Sequence, residues 1–412
     1  LVKPGKLIVP DRLHGYNLIR TNNEVKMRQV AVIGIGQTKI DEHWDKSLRD
    51  LAGDAALAAL KDSGLERVEA VYVGNMMSGS ANHQQHLGAY LADWIGMRGA
   101  EAIRTEAACS SGAASFRSAV MAVASGLVDS ALAVGVEKMT DSPLNEITAA
   151  LATAADAEWE AGNGLSFVSL NALLMKRYMY EYGWEKDHFA PFAVNAHANA
   201  MHNPYARFHE PVTVEGYLKA PMITDPINLM DASPTGDGAA AALVVPIEKF
   251  HQNNGRKIIR VAASSAATDT MAVHHRKDAL FLKAAYNAAT KAYAQSSLTP
   301  QDIDLFELHD AFSIMATLSL EANGFAEKGK GPQLALDGEI LTNGRIPIAT
   351  RGGLKARGHP VGATGMYQIV EVVEQLRGEA AGTQVENARV GMTQNIGGSG
   401  SNIISHIFAV TD

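Results

Sequence analysis

Cys109 is the only cysteine in the 412 residues, and it stands in the stretch EAACSSGAAS (106–115). Small neighbours leave room for a substrate to approach. The stretch falls between a predicted strand and a predicted helix. A thiol at a helix N-terminus faces the positive end of the macrodipole, which favours thiolate. Taken alone, a lone cysteine reads equally well as a buried structural residue. Three other stretches shift that balance. LKARGHPVGATG (354–365) sets His359 in a glycine-flanked loop, where backbone can approach a ligand closely. ELHDAF (307–312) puts His309 at a predicted strand end, the edge at which α/β folds hold their ligands. QNIGGSGSN (394–402) is a glycine turn after a strand, with N–H groups free to bind an anion. A nucleophile, two imidazoles and an oxyanion turn together suit acyl transfer through a covalent thioester.

The elements that must position these groups repeat. RQVAVIGIG (28–36) predicts a buried strand, SLRDLAGDAALAALKDSGL (47–65) a helix and VEAVYVGN (68–75) a second strand. A helix over 110–126 and a strand over 130–139 follow Cys109. The second half repeats the order, with a strand at 257–268, a helix at 280–298, strands at 302–312 and 388–398, and a helix at 361–378. This alternation predicts an α/β fold with a mainly parallel sheet in two similar halves. Residues 1–26 look like a separate extension, with the first half running over 27–250 and the second over 251–412. The stretch 140–225 is richer in Met, Tyr, Trp, His and Asn and reads as an inserted loop subdomain.

Composition narrows the function classes. The formal net charge of −8 provides no basic field for nucleic acid or an anionic membrane. No run reaches the roughly 18 apolar residues of a membrane span, and the N-terminal stretch lacks a secretory signal pattern. A single thiol rules out a disulfide within these residues and any CxxC metal site, and suits a reducing, cytoplasmic setting. His197, His202 and His209 lack the usual zinc spacing, so no metal is expected. GIGQT (34–38) lacks the spacing of a nucleotide fingerprint and reads as a tight turn.

The four motifs, in this order, resemble the thiolase superfamily across roughly residues 27–412. The His-Asp start of HDAF and the motif GGLKARGHPVGATG are most similar to archaeal-type acetyl-CoA acetyltransferases and thiolases of the sterol carrier protein X type. The resemblance implies two duplicated α/β halves in a layered α-β-α-β-α arrangement, with the insertion lying over coenzyme A. It implies that Cys109 carries the acyl group and that His359 activates it and helps bind the thioester oxygen. His309 would stand where the family places an asparagine in one oxyanion hole. The N–H groups of Cys109 and Gly397 would form the other. Coenzyme A thioesters would be the substrates, with no tightly bound cofactor. The partners implied are a second copy in a homodimer or homotetramer, a zinc-ribbon and OB-fold accessory protein, and a hydroxymethylglutaryl-CoA synthase.

One departure bears on mechanism. Most thiolases have Cys-x-Gly where this chain has Asn395-Ile396-Gly397, and that second cysteine is their acid/base. Some His-Asp members place a cysteine where this chain has Ala311. An amide cannot accept a proton in its place. Asn395 is therefore a substrate contact, and His309 is the candidate replacement base. The expected activity is acetyl-CoA C-acetyltransferase, forming or cleaving acetoacetyl-CoA by Claisen chemistry. The alternatives are a broader 3-ketoacyl-CoA thiolase, or a C-acyltransferase acting on an already acidic carbon. A lipid-carrier or scaffold subunit is the non-enzymatic reading; a thiolase-like aldolase or a ketoacyl synthase is more distant.

Overall fold

A computed structural model describes residues 27–249 and 256–411. The expected extension 1–26 and the junction at 250 lie outside the described residues. Among the described residues there are eleven strands: β1 (Val30–Gln37), β2 (Ala70–Gly74), β3 (Glu101–Thr105), β4 (Ala131–Glu137), β5 (Met222–Thr224), β6 (Ile227–Asn228), β7 (Gly238–Pro246), β8 (Ile258–Thr268), β9 (Leu305–Glu307), β10 (Val390–Gly397) and β11 (Asn402–Thr411). Nine of them form one sheet in the order β3-β2-β4-β7-β1-β8-β11-β10-β9. Read outward from the β1–β8 junction, the first four strands follow the same order on both sides, and β3 extends the first side by a fifth. The half-sheets join through only two residue pairs, Ala31 with Arg260 and Val32 with Ile259.

The helices complete five layers. Leu48–Ser63 packs on β1, β4 and β7, and Lys283–Ser296 packs on β8 and β11. Between the half-sheets lie Ser111–Ser125 and Thr364–Arg377, which touch each other and strands of both halves. This is the layered, duplicated α/β arrangement expected. The sheet is not mainly parallel, however. Five of its eight pairings are antiparallel and three are parallel. The last strand of each half, β7 or β11, runs against its neighbours on both sides. For β11 the cause is the short glycine turn after β10, since a tight connection can only return a strand antiparallel.

Local sequence accounts for the elements around the site. Ser47 and Asp50 form a capping box at the start of Leu48–Ser63, and Gly64 ends that helix at φ 74°. Gly34 and Gly36 face this helix, and a Cβ at either would collide with the carbonyls of Ala59 or Ala55. The GIG stretch is thus a helix-packing surface. Residues 138–237, between β4 and β7, carry the helices Leu144–Ala152, Phe167–Tyr182, Ala190–Ala200 and Val214–Lys219 and the small β5–β6 pair. Part of this insertion covers the cavity that holds Cys109.

Candidate active site

Cys109 sits in the bend between β3 and the helix Ser111–Ser125. The preceding residue, Ala108, has φ 50°, a left-handed conformation that costs a non-glycine residue on the order of 1–3 kcal/mol. Hydrogen bonds hold the bend. Ala108 N–H donates to Glu106 Oε1 at 2.6 Å, Ala107 N–H to Ser111 Oγ at 2.9 Å, and Ser111 Oγ to Ala108 O at 2.6 Å. The result presents Sγ to a cavity of about 570 Å³ that His309 and His359 also line.

His359 is held at both ends. Its N–H donates to Pro234 O at 3.2 Å. Its Nδ1 lies 2.6 Å from Thr364 Oγ1, whose own proton goes to Pro360 O at 3.1 Å. The threonine oxygen therefore accepts, Nδ1 carries the proton, and Nε2 keeps a lone pair. His309 has the opposite arrangement. Asn395 Nδ2 donates to His309 Nδ1 at 2.9 Å, which leaves the proton of a neutral ring on Nε2. The rings meet edge to face, with centroids 5.0 Å apart. Burial, with the Arg357 charge, lowers His359 to about 3. Burial, then His359 and Arg357, holds His309 well below its ordinary value. Both are neutral at physiological pH, one an acceptor and the other a donor.

The thiol does not rest as thiolate. Burial and then the Glu137 charge push Cys109 up to about 12, against the opposing hydrogen bonds of the Gly398 and Cys109 N–H groups. The expected macrodipole effect is outweighed by desolvation. Alkylation of the resting enzyme by iodoacetamide should accordingly keep rising from pH 6 to pH 9. A plateau near neutrality would mean a preformed thiolate–imidazolium pair.

Family models match both halves: "Thiolase, N-terminal domain" over residues 30–248 and "Thiolase C-terminal domain-like" over 265–410. The chain belongs to the thiolase family. It is 48% identical over 385 residues to an acetyl-CoA acetyltransferase of Methanothermobacter thermautotrophicus, covering 93% of this chain and 100% of that one. The corresponding protein of Methanocaldococcus jannaschii is 40% identical, covering 93% and 99%. Among solved structures, "Ltp2-ChsH2(DUF35) aldolase" superposes with a TM-score of 0.80 at 24% identity, covering 94% and 99%, and so shares the fold.

Against this thiolase frame, the structure brings Cys109, His309, His359 and Asn395 together. Gly397 ends β10 paired with Asn402, and the N–H facing the thiol belongs to the next residue, Gly398. The hairpin register decides this, and the glycine run alone could not. We propose the donor role for His309 in place of the acceptor role expected, on the 2.9 Å contact from Asn395 Nδ2 to its Nδ1. Asn395 is thus a partner of His309. Replacing His309 by alanine should slow acylation and condensation together. Nitrogen-15 NMR of histidine-labelled enzyme should find His309 protonated at Nε2 and His359 at Nδ1.

Sequence reasoning missed several residues. Glu137, at the end of β4, accepts from Asn75 Nδ2 (2.8 Å) and from the N–H groups of Met76 (2.8 Å), Met77 (3.1 Å) and Gly362 (3.0 Å). It ties the His359 loop to the first half, and burial raises it to about 7. Its place at a strand's carboxyl end was the available signal. Lys355 also lines the cavity and is buried. His197 Nδ1 donates to Glu210 O at 3.0 Å, and His209 Nε2 binds Asn203 O at 2.9 Å. Among the described residues no group of three or more His, Cys, Asp and Glu side chains is placed to hold a metal, and no helix is long and apolar enough to cross a membrane.

Proposed function

We propose that this thiolase is an acetyl-CoA C-acetyltransferase. The observation that carries the reading is the pair of opposed imidazoles, an acceptor at His359 Nε2 and a donor at His309 Nε2, lining one cavity with Cys109. His359 Nε2 takes the thiol proton as Cys109 Sγ attacks the thioester carbonyl of acetyl-CoA. His309 Nε2–H and the N–H groups of Cys109 and Gly398 are the donors available to the oxyanion. The C–S bond to coenzyme A breaks, the leaving thiolate takes the proton from His359, and acetyl-Cys109 remains. His359 is then neutral again. It removes the α-proton of a second acetyl-CoA, whose carbanion attacks the acetyl carbonyl. Collapse releases acetoacetyl-CoA and the Cys109 thiolate, which recovers the proton from His359. One imidazole serves both steps, which dispenses with a second thiol.

Purified enzyme with acetyl-CoA should gain one acetyl group at Cys109 and form acetoacetyl-CoA. A folded, unacylated protein would favour the scaffold reading. A broader 3-ketoacyl-CoA thiolase is the second reading. It is favoured by the apolar cavity wall of Met139, Leu144, Leu151, Phe167, Met315 and Ile396. Thiolysis rates across acyl lengths separate the two.

We further infer a homo-oligomer. Strand β3 lies at the sheet edge with Ile103 exposed, and an unpaired edge can accept a strand from a second copy. Light scattering tests this. A small zinc-ribbon and OB-fold accessory protein and a hydroxymethylglutaryl-CoA synthase remain the proposed partners, the former in keeping with the DUF35 component named for the aldolase. A free catalytic thiol suits the cytoplasm.

A further inference from the structure

Lysine is rarely buried, yet Lys355 is only 2% exposed and lies in the wall of the active-site cavity. Its Nζ donates to the backbone carbonyl of Asp231. That carbonyl also accepts the Ser313 N–H at 3.1 Å. Asp310 and Asp231 supply the negative charge around the ammonium. The Asp231 carboxylate is already engaged by Lys186 at 3.1 Å and the Tyr217 hydroxyl at 2.6 Å. Asp310 Oδ1 accepts the Leu354 N–H at 2.7 Å.

Three pieces of cavity wall cross at this point. Ala232 bridges Phe312, and Ser233 N–H donates to Ala311 O at 2.8 Å, so the segment after Asp231 runs along HDAF. Pro234 O then holds the His359 N–H. Lys355 lies on the turn Gly353–Arg357 that leads into His359. A charged donor makes a hydrogen bond about twice as strong as a neutral one. Without it, Asp310, the neighbour of His309 in the chain, is a buried acid that loses the stronger of its two cations, Lys355 and Arg357.

We propose that Lys355 is a built-in cation: its ammonium clasps the Asp231 carbonyl beside Asp310 and so sets the spacing of the His309 and His359 segments. It is a positioning residue, acting through the two imidazoles. The inference rests on acyl transfer through Cys109, so wild-type turnover is carried as the control for that reading.

The test uses Lys355→Met, Lys355→Ala and Lys355→Arg in the full chain. The methionine variant keeps the bulk and loses the charge. It should lower kcat for acetoacetyl-CoA thiolysis roughly 10–100-fold, the usual consequence of a misplaced catalytic group, and change KM less. The arginine variant should retain more activity than the methionine one. The alanine variant leaves a cation-sized space beside a carbonyl. Ammonium or potassium chloride should raise its activity several-fold where choline chloride at equal ionic strength does not, and should raise its Tm while leaving the wild-type Tm unchanged. The clasp is overturned if Lys355→Met turns over at the wild-type rate, or if folded Lys355→Ala ignores both cations in activity and in Tm. Absent wild-type turnover would overturn the functional reading instead, and the Tm arm would still decide the clasp.

Discussion

Cys109→Ser is expected to eliminate the acetyl-enzyme and to lower acetoacetyl-CoA turnover by at least about 10⁴-fold, the scale on which removal of a nucleophile acts. Serine fits the bend, because the Ala108–Ser111 hydrogen bonds use none of the cysteine side chain. The loss is therefore chemical. A serine hydroxyl is far harder to ionise than a thiol and a weaker nucleophile toward the thioester, so the first step fails. Intact-mass analysis after acetyl-CoA reads the first step, and product formation reads the whole cycle. Acetylation persisting at another residue would remove Cys109 from the mechanism.

His359→Ala comes next in size. Positioned proton transfer is typically worth ~10²–10⁴-fold, and in the proposed mechanism one imidazole serves both acylation and condensation. Both should fall, and added imidazole should restore part of the rate. The pH dependence follows from the tautomer and from burial. His359 is active as the neutral ring, and its conjugate acid forms only near pH 3. Turnover should therefore lack the acid limb near pH 6.5 that an exposed histidine gives. A rate that falls through pH 6.5 and loses that limb in His359→Ala would show the imidazole to be solvated. Condensation surviving while acylation collapses would assign the α-proton to another base.

The catalytic groups were more legible than their roles. Cys109 stands out among small residues, His309 at the end of a predicted strand and His359 in a glycine-flanked loop. Their protonation states were hidden, because they depend on partners such as Asn395, 86 residues from His309 in the chain. The expectation that a helix start makes a thiolate failed because burial and Glu137 oppose the dipole. Glu137 itself, in VGVEKM, is marked only by its place at the carboxyl end of a predicted strand. Lys355 in LKARGHP looks like a solvated charge until the fold encloses it. Strands and helices followed from periodicity, but periodicity says nothing of strand direction, so the reversal of β7 could not be read, whereas that of β11 follows from the glycine turn after β10.

The mirrored strand order has a consequence for how such an enzyme can arise. Within each half, a helix following the third-strand position enters the central layer: Ser111–Ser125 after β3, and Thr364–Arg377 after the segment in which Ile348 lies beside β9. Cys109 precedes the first of these helices and His359 the second. Equivalent places in the two similar halves carry complementary groups, the sulfur in one and the imidazole in the other. Neither half holds both. A half expressed alone would have no reaction to catalyse, so selection on turnover acts on the joint between the copies as much as on either one.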